Sequence, residues 1–181
     1  MSGTVLLTLP GYEGSGPAHW QSMWERSYPD CRRVEQADWV RPQLDAWMDS
    51  LREAVAACDS PPVLVAHSLG CALVAHHVAA GGPAVRAALL VAPADVGIVA
   101  EWVPEVASFA PMPTAPLGIA STVVTSTDDP YITAERAGEL AAAWGAELVT
   151  LPGLGHINAD SGLGEWAEGK KVLERLLSAS G

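Results

Sequence analysis

Three residue types that together make an activated nucleophile occur in this chain in the order Ser68, Asp129, His156. A serine hydroxyl attacks poorly at neutral pH unless a base takes its proton, and an imidazole does so efficiently only when a carboxylate fixes its tautomer and stabilises the imidazolium. Ser68 sits in Ala66-His67-Ser68-Leu69-Gly70, directly after the apolar run Val63-Leu64-Val65 and directly before a helix-forming run. That is the spacing of a nucleophile elbow, in which the serine occupies a strained strand-to-helix turn and small residues stand two before and two after it. Gly70 meets the steric demand, while Ala66 adds one methyl group where glycine is usual. Attack on a carbonyl also needs donors for the developing oxyanion. The N–H of Leu69, next to the serine, is one candidate, and the N–H of Tyr12 in Pro10-Gly11-Tyr12-Glu13-Gly14 is the other.

The carboxylate has rival candidates. Asp129 precedes Pro130, which restricts its backbone to extended conformations. Asp128 could instead cap the turn, and Asp95 is a remote third option; Asp129 is preferred. The loop Gly11-Tyr12-Glu13-Gly14-Ser15-Gly16 does not have the spacing of a phosphate-binding loop, and no Gly-Lys-Ser/Thr follows it.

The elements that must position these groups alternate along the chain. Strands are expected over 4–9, 32–34, 62–67, 85–91, 118–125 and 147–151. Helices are expected from Pro17 to Trp24, then over 42–57, 69–80, 133–144 and 163–177. Continuous apolar strands imply burial on both faces, and strand–helix alternation implies an α/β fold with a doubly wound, mostly parallel sheet of about six strands. In such a sheet functional groups collect at the carboxyl ends of the strands, and Ser68, Asp129 and His156 each follow one. The chain order serine, acid, histidine is that of the α/β-hydrolase fold. The proline-rich connection 93–116 is long enough to be functional or flexible, and could act as a lid.

Composition narrows the classes. With 181 residues and 49% hydrophobic content, one domain spanning 1–181 is expected. A net charge of −11 argues against nucleic acid and anionic membranes as partners, and leaves a small-molecule acyl substrate. The N-terminus reads as the first strand rather than a signal peptide. Cys31, Cys58 and Cys71 are widely spaced and read as small buried hydrophobes, which fits a reducing cytoplasm and neither a metal nor a disulfide framework. No cofactor is expected. His67 reads as structural, His76 and His77 as packing or surface residues, and His19 as structural with Trp20 although near the predicted pocket. Trp24, Trp47, Trp144 and Trp166 suit packing, whereas Gly11, Trp20, Trp102, Phe109 and Tyr131 could line a substrate pocket. Glu101 and Glu105 read as solvated.

The chain resembles the small single-domain serine hydrolases of the retinoblastoma-binding-protein-9/YdeN type. The resemblance rests on Leu9-Pro10-Gly11-Tyr12, His19-Trp20-Gln21-Ser22-Met23-Trp24, Ala66-His67-Ser68-Leu69-Gly70-Cys71, Ser126-Thr127-Asp128-Asp129-Pro130 and Gly155-His156-Ile157-Asn158, and it runs nearly end to end. It implies a reduced hydrolase core with minimal or no cap, and Asp129 as the acid because it stands before proline. The reaction expected is cleavage of a small ester, thioester or amide through an acyl-enzyme. A hydrolase-fold interaction protein with little turnover, or an acyltransferase, would carry the same residues.

Overall fold

The computed structural model describes residues 4–180; Met1–Gly3, the first part of the N-terminal reading, and Gly181 lie outside it. Six strands form one sheet: β1 (Leu6–Leu9), β2 (Cys31–Arg33), β3 (Val63–His67), β4 (Ala87–Val91), β5 (Ala120–Ser126) and β6 (Glu147–Leu151). Their order is β2-β1-β3-β4-β5-β6, and every pairing is parallel. The helices are α1 (Trp20–Ser27), α2 (Leu44–Ala56), α3 (Leu69–Ala79), α4 (Val96–Val99), α5 (Ala134–Trp144) and α6 (Ala167–Ala179), with 3₁₀ turns at Pro104–Phe109 and Ala159–Ser161.

Alternation along each strand divides the core between the two faces of the sheet. Leu64 and Ala66 of β3, with Leu7 and Leu9 of β1 and Ala88 and Leu90 of β4, pack in one cluster with α2, α3 and α5 residues such as Trp47, Leu73 and Trp144. Val63 and Val65, with Leu89 and Val91, face the other way onto Trp20, Trp24 and the α6 residues Val172, Leu173 and Leu176. The four inner strands are buried throughout or nearly so, but the sheet edges are not. In β6, the edge strand paired only with β5, Leu151 alone is buried and Leu148 is exposed. The expectation of burial on both faces therefore holds for the inner strands and fails at β2 and β6.

Several boundaries differ from the sequence reading. Helix α1 starts at Trp20 rather than in the Pro17 turn, because His19 Nδ1 accepts the Gln21 N–H and caps it. Helix α6 starts at Ala167, after Trp166 in a left-handed conformation. The 93–116 connection is not featureless: it contains α4 and the first 3₁₀ turn, and His76 Nε2 donates to the Phe109 carbonyl at 2.8 Å to tie it to α3. Cys31 and Cys71 are buried and Cys58 is half-buried; all three are free thiols. Burial, its largest cause, pushes the Cys31 thiol up to about 12. No helix among the described residues is long and apolar enough to cross a membrane.

Candidate active site

Strand β3 delivers Ser68 to the carboxyl edge of the sheet with φ 55° and ψ −119°, a conformation that L-residues rarely adopt. Two hydrogen bonds and one steric fact hold it there. The Ser68 N–H donates to Val91 O at 3.0 Å, and the Cys71 N–H donates to Ser68 O at 3.0 Å. A side chain at Gly70 would run into the Leu9 carbonyl of β1, so the residue two after the serine has to be glycine. Ala66, by contrast, is wholly buried beside Leu9 in the β1–β3 register and its methyl is accommodated.

The loops after β5 and β6 bring the other two groups to the serine. His156 Nε2 lies 2.8 Å from Ser68 Oγ, and His156 Nδ1 lies 2.9 and 2.8 Å from the two carboxylate oxygens of Asp129. The Asp129 side chain is completely buried and the His156 side chain is 9% exposed. Asp128 faces away from the imidazole. Its Oδ1 accepts the Ser126 hydroxyl at 2.7 Å and the Gly155 N–H at 2.8 Å, and these two bonds hold its carboxyl below the usual range. Asp95 is engaged elsewhere, in an ion pair with Arg136 at 3.1 Å.

The two oxyanion candidates meet at the elbow. A Cβ on Gly11 would come within 2.8 Å of Ser68 Cβ and 3.2 Å of Leu69 N, so glycine lets this loop lie against the nucleophile. Tyr12 and Leu69 both line the cavity in front of Ser68, and neither N–H donates to a protein acceptor among the described residues.

The His156 loop is held by His67, which reads as structural from the sequence, and by Trp20, which also reads there as a possible pocket residue. His67 Nε2 donates to His156 O at 2.8 Å, and Trp20 Nε1 donates to Ile157 O at 2.8 Å. Gln21 donates to the carbonyls of Val65 and Leu9, binding α1 to the two strands that carry the elbow and the Gly11 loop. The His19-Trp20-Gln21 segment thus acts as a clamp under the site. Burial, followed by the neighbouring His156 and His19, holds His67 well below the ordinary imidazole range; burial, then Arg33 and His156, lowers His19 to about 4.

The serine hydrolase family profile matches residues 6–175. The chain belongs to the serine hydrolase family. Among solved structures it is similar to a YdeN-like hydrolase of Pectobacterium atrosepticum, with 32% identity and TM-score 0.87 over 96% of this chain and 90% of that one. It is also similar in fold to the ydeN gene product of B. subtilis, with 18% identity and TM-score 0.74 over 97% of this chain and 100% of that one. A third similar fold is that of MGS-MChE2, an α/β hydrolase from lagoon sediments of Mar Chica, Morocco, with 13% identity and TM-score 0.73 over 98% and 92% of the two chains. No curated protein matches the sequence. This serine hydrolase is therefore an enzyme of the YdeN type on an α/β-hydrolase fold.

The hydrolase carries a cavity of about 310 Å³ in front of Ser68. Of the aromatic and glycine candidates, Gly11 and Tyr131 line it; Trp20, Trp102 and Phe109 do not. Phe109 is wholly buried, packed edge-on against Trp47, because the 3₁₀ turn folds it back into the core. Trp20 is buried between His19, Trp24 and Trp166. Trp102 is 53% exposed and stacks on Tyr131, whose ring in turn lies 4.5 Å from that of His156. Glu101 and Glu105 are exposed. Sequence reasoning missed the actual wall, Val96, Val99, Val103 and Val106. Their spacing of three, four and three is a helical stripe, a signal hidden by the prolines around it. Among the described residues no cluster of His, Cys, Asp or Glu could hold a metal ion.

Proposed function

We propose that this enzyme cleaves a small carboxylic ester, thioester or amide through an acyl-enzyme on Ser68. The observation that carries the reading is the continuous hydrogen-bonded line from Ser68 Oγ through both nitrogens of His156 to the buried Asp129. In acylation Ser68 Oγ bonds to the substrate carbonyl carbon while its proton passes to His156 Nε2. The carbonyl oxygen takes the negative charge and is met by the Leu69 and Tyr12 N–H groups. Collapse breaks the bond to the leaving group, which takes the proton from Nε2. A water then attacks the acyl carbon, gives its proton to Nε2, and the acid departs as that proton returns to Ser68 Oγ. Asp129 holds the Nδ1–H tautomer and stabilises the imidazolium without itself taking the proton.

The test is labelling with a fluorophosphonate probe, with the adduct located by mass spectrometry in the wild type and in Ser68→Ala. A single adduct on Ser68, absent from the variant, is the expected result. An intact folded protein that takes up no probe, or takes it up elsewhere, overturns the reading.

A further inference from the structure

The cavity in front of Ser68 is built from two unlike sides. Val96, Val99, Val103 and Val106, all from the segment after β4, make an apolar wall. The β1 and β6 loops line the same space with polar residues, Tyr12, Glu13 and Asn158 among them. No lysine or arginine lines the space, and Glu13 brings a carboxylate to its lining. The nearby cations are committed elsewhere, Arg33 to Glu25 and Ser22, and Arg136 to Asp95 and Glu139. The imidazoles of His19 and His67 are kept neutral by burial. Glu105 adds a second carboxylate close to Tyr12: after burial, the charges of Glu105 and Glu13 push that phenol up.

From this asymmetry we infer that the valine wall is the acyl-binding surface and that it takes compact, uncharged acyl groups while excluding those that end in a carboxylate. The inference rests on the acyl-enzyme reading above. A cavity of about 310 Å³ is at the small end of ligand pockets, so a short acyl chain fits inside it and a long one must leave it. The ester group takes part of that space, and the expected optimum is an acyl chain of about four to six carbons. An anionic tail pressed against the valines would lose its hydration and find no lysine or arginine in return, and the nearby carboxylates of Glu13 and Glu105 would repel it.

The experiment uses the whole enzyme and two substrate sets. On p-nitrophenyl esters from acetate to decanoate, kcat/KM should peak between butanoate and hexanoate and fall by about tenfold or more at decanoate. On a shape-matched pair, ethyl 4-methylpentanoate should be favoured over monoethyl succinate by about a hundredfold, read as acid release. Val103→Phe should move the optimum to shorter chains and Val99→Ala to longer ones. These shifts run in opposite directions, which loss of stability cannot produce. A flat length profile, discrimination of less than about threefold within the matched pair, or two variants that depress all esters by one common factor would overturn the assignment. Probe labelling of wild-type Ser68 separates the two readings. If Ser68 is labelled and the length profile is flat, the valine wall is not the acyl site; if Ser68 is never labelled, the acyl-enzyme reading fails first.

Discussion

Both carboxylate oxygens of Asp129 lie within hydrogen-bond distance of one nitrogen of His156, Nδ1, while the adjacent Asp128 points its carboxylate at Ser126 and Gly155. Two neighbouring acids therefore have separable jobs. Asp129→Asn keeps the shape but presents an amide that can hold the wrong imidazole tautomer, and should lower kcat by about 10³–10⁴-fold with little change in KM. Asp128→Asn keeps one acceptor oxygen for the Gly155 N–H and should lower kcat by no more than about tenfold. Steady-state kinetics on a short ester decide this; a larger loss for Asp128→Asn would reverse the roles.

The elbow makes opposite demands at its two small positions. Gly70→Ala places a methyl group into the Leu9 carbonyl and should push β1 away from α3, costing about 3 kcal/mol or more and removing soluble, active protein. Ala66→Gly should leave kcat/KM within about twofold and lower stability by about 1 kcal/mol, since the buried methyl is lost and the strand backbone gains freedom. Soluble yield and activity check the first, and chemical denaturation followed by tryptophan fluorescence checks the second.

Burial of His19 ties stability to pH. Its folded-state value falls from 6.5 to about 4, so the unfolded chain binds the proton more readily than the folded one. The stabilisation from keeping this ring neutral is present above pH 6.5 and is lost as pH falls from about 6.5 towards 4, by on the order of 3 kcal/mol in total. His19→Asn retains an N-cap acceptor for the Gln21 N–H and removes the titration. Its unfolding free energy should therefore change less than that of the wild type between pH 6.5 and pH 4.5, whatever its absolute stability. Equal slopes for the two proteins would show that His19 is not the group responsible.

Local sequence features carried the strands, most of the helices and the chemical inventory, but not α4 or the starts of α1 and α6. Strand type, the parallel alternation, the elbow at Ser68 and the placing of an acid and a histidine after later strands all follow from local features, because apolar runs, glycines and prolines act on the few residues around them. Asp129, the residue restrained by Pro130 and preferred on that ground, is the carboxylate that reaches His156 Nδ1. The tertiary structure decided what depends on which distant segments meet. Three strand ends had to converge before Ser68, His156 and Asp129 could share hydrogen bonds across 88 and 27 residues of chain. Trp20 and His67 became supports of the His156 loop only because α1 and β3 pass beneath it. Phe109 and Trp102 went in opposite directions, one into the core and one to the surface, although both lie in the same proline-rich connection. The cavity wall went to four valines whose helical spacing has no meaning until that connection folds over the serine. Side-chain type restricts which roles a residue can fill; packing selects among them, because burial and neighbours depend on contacts that local sequence does not encode.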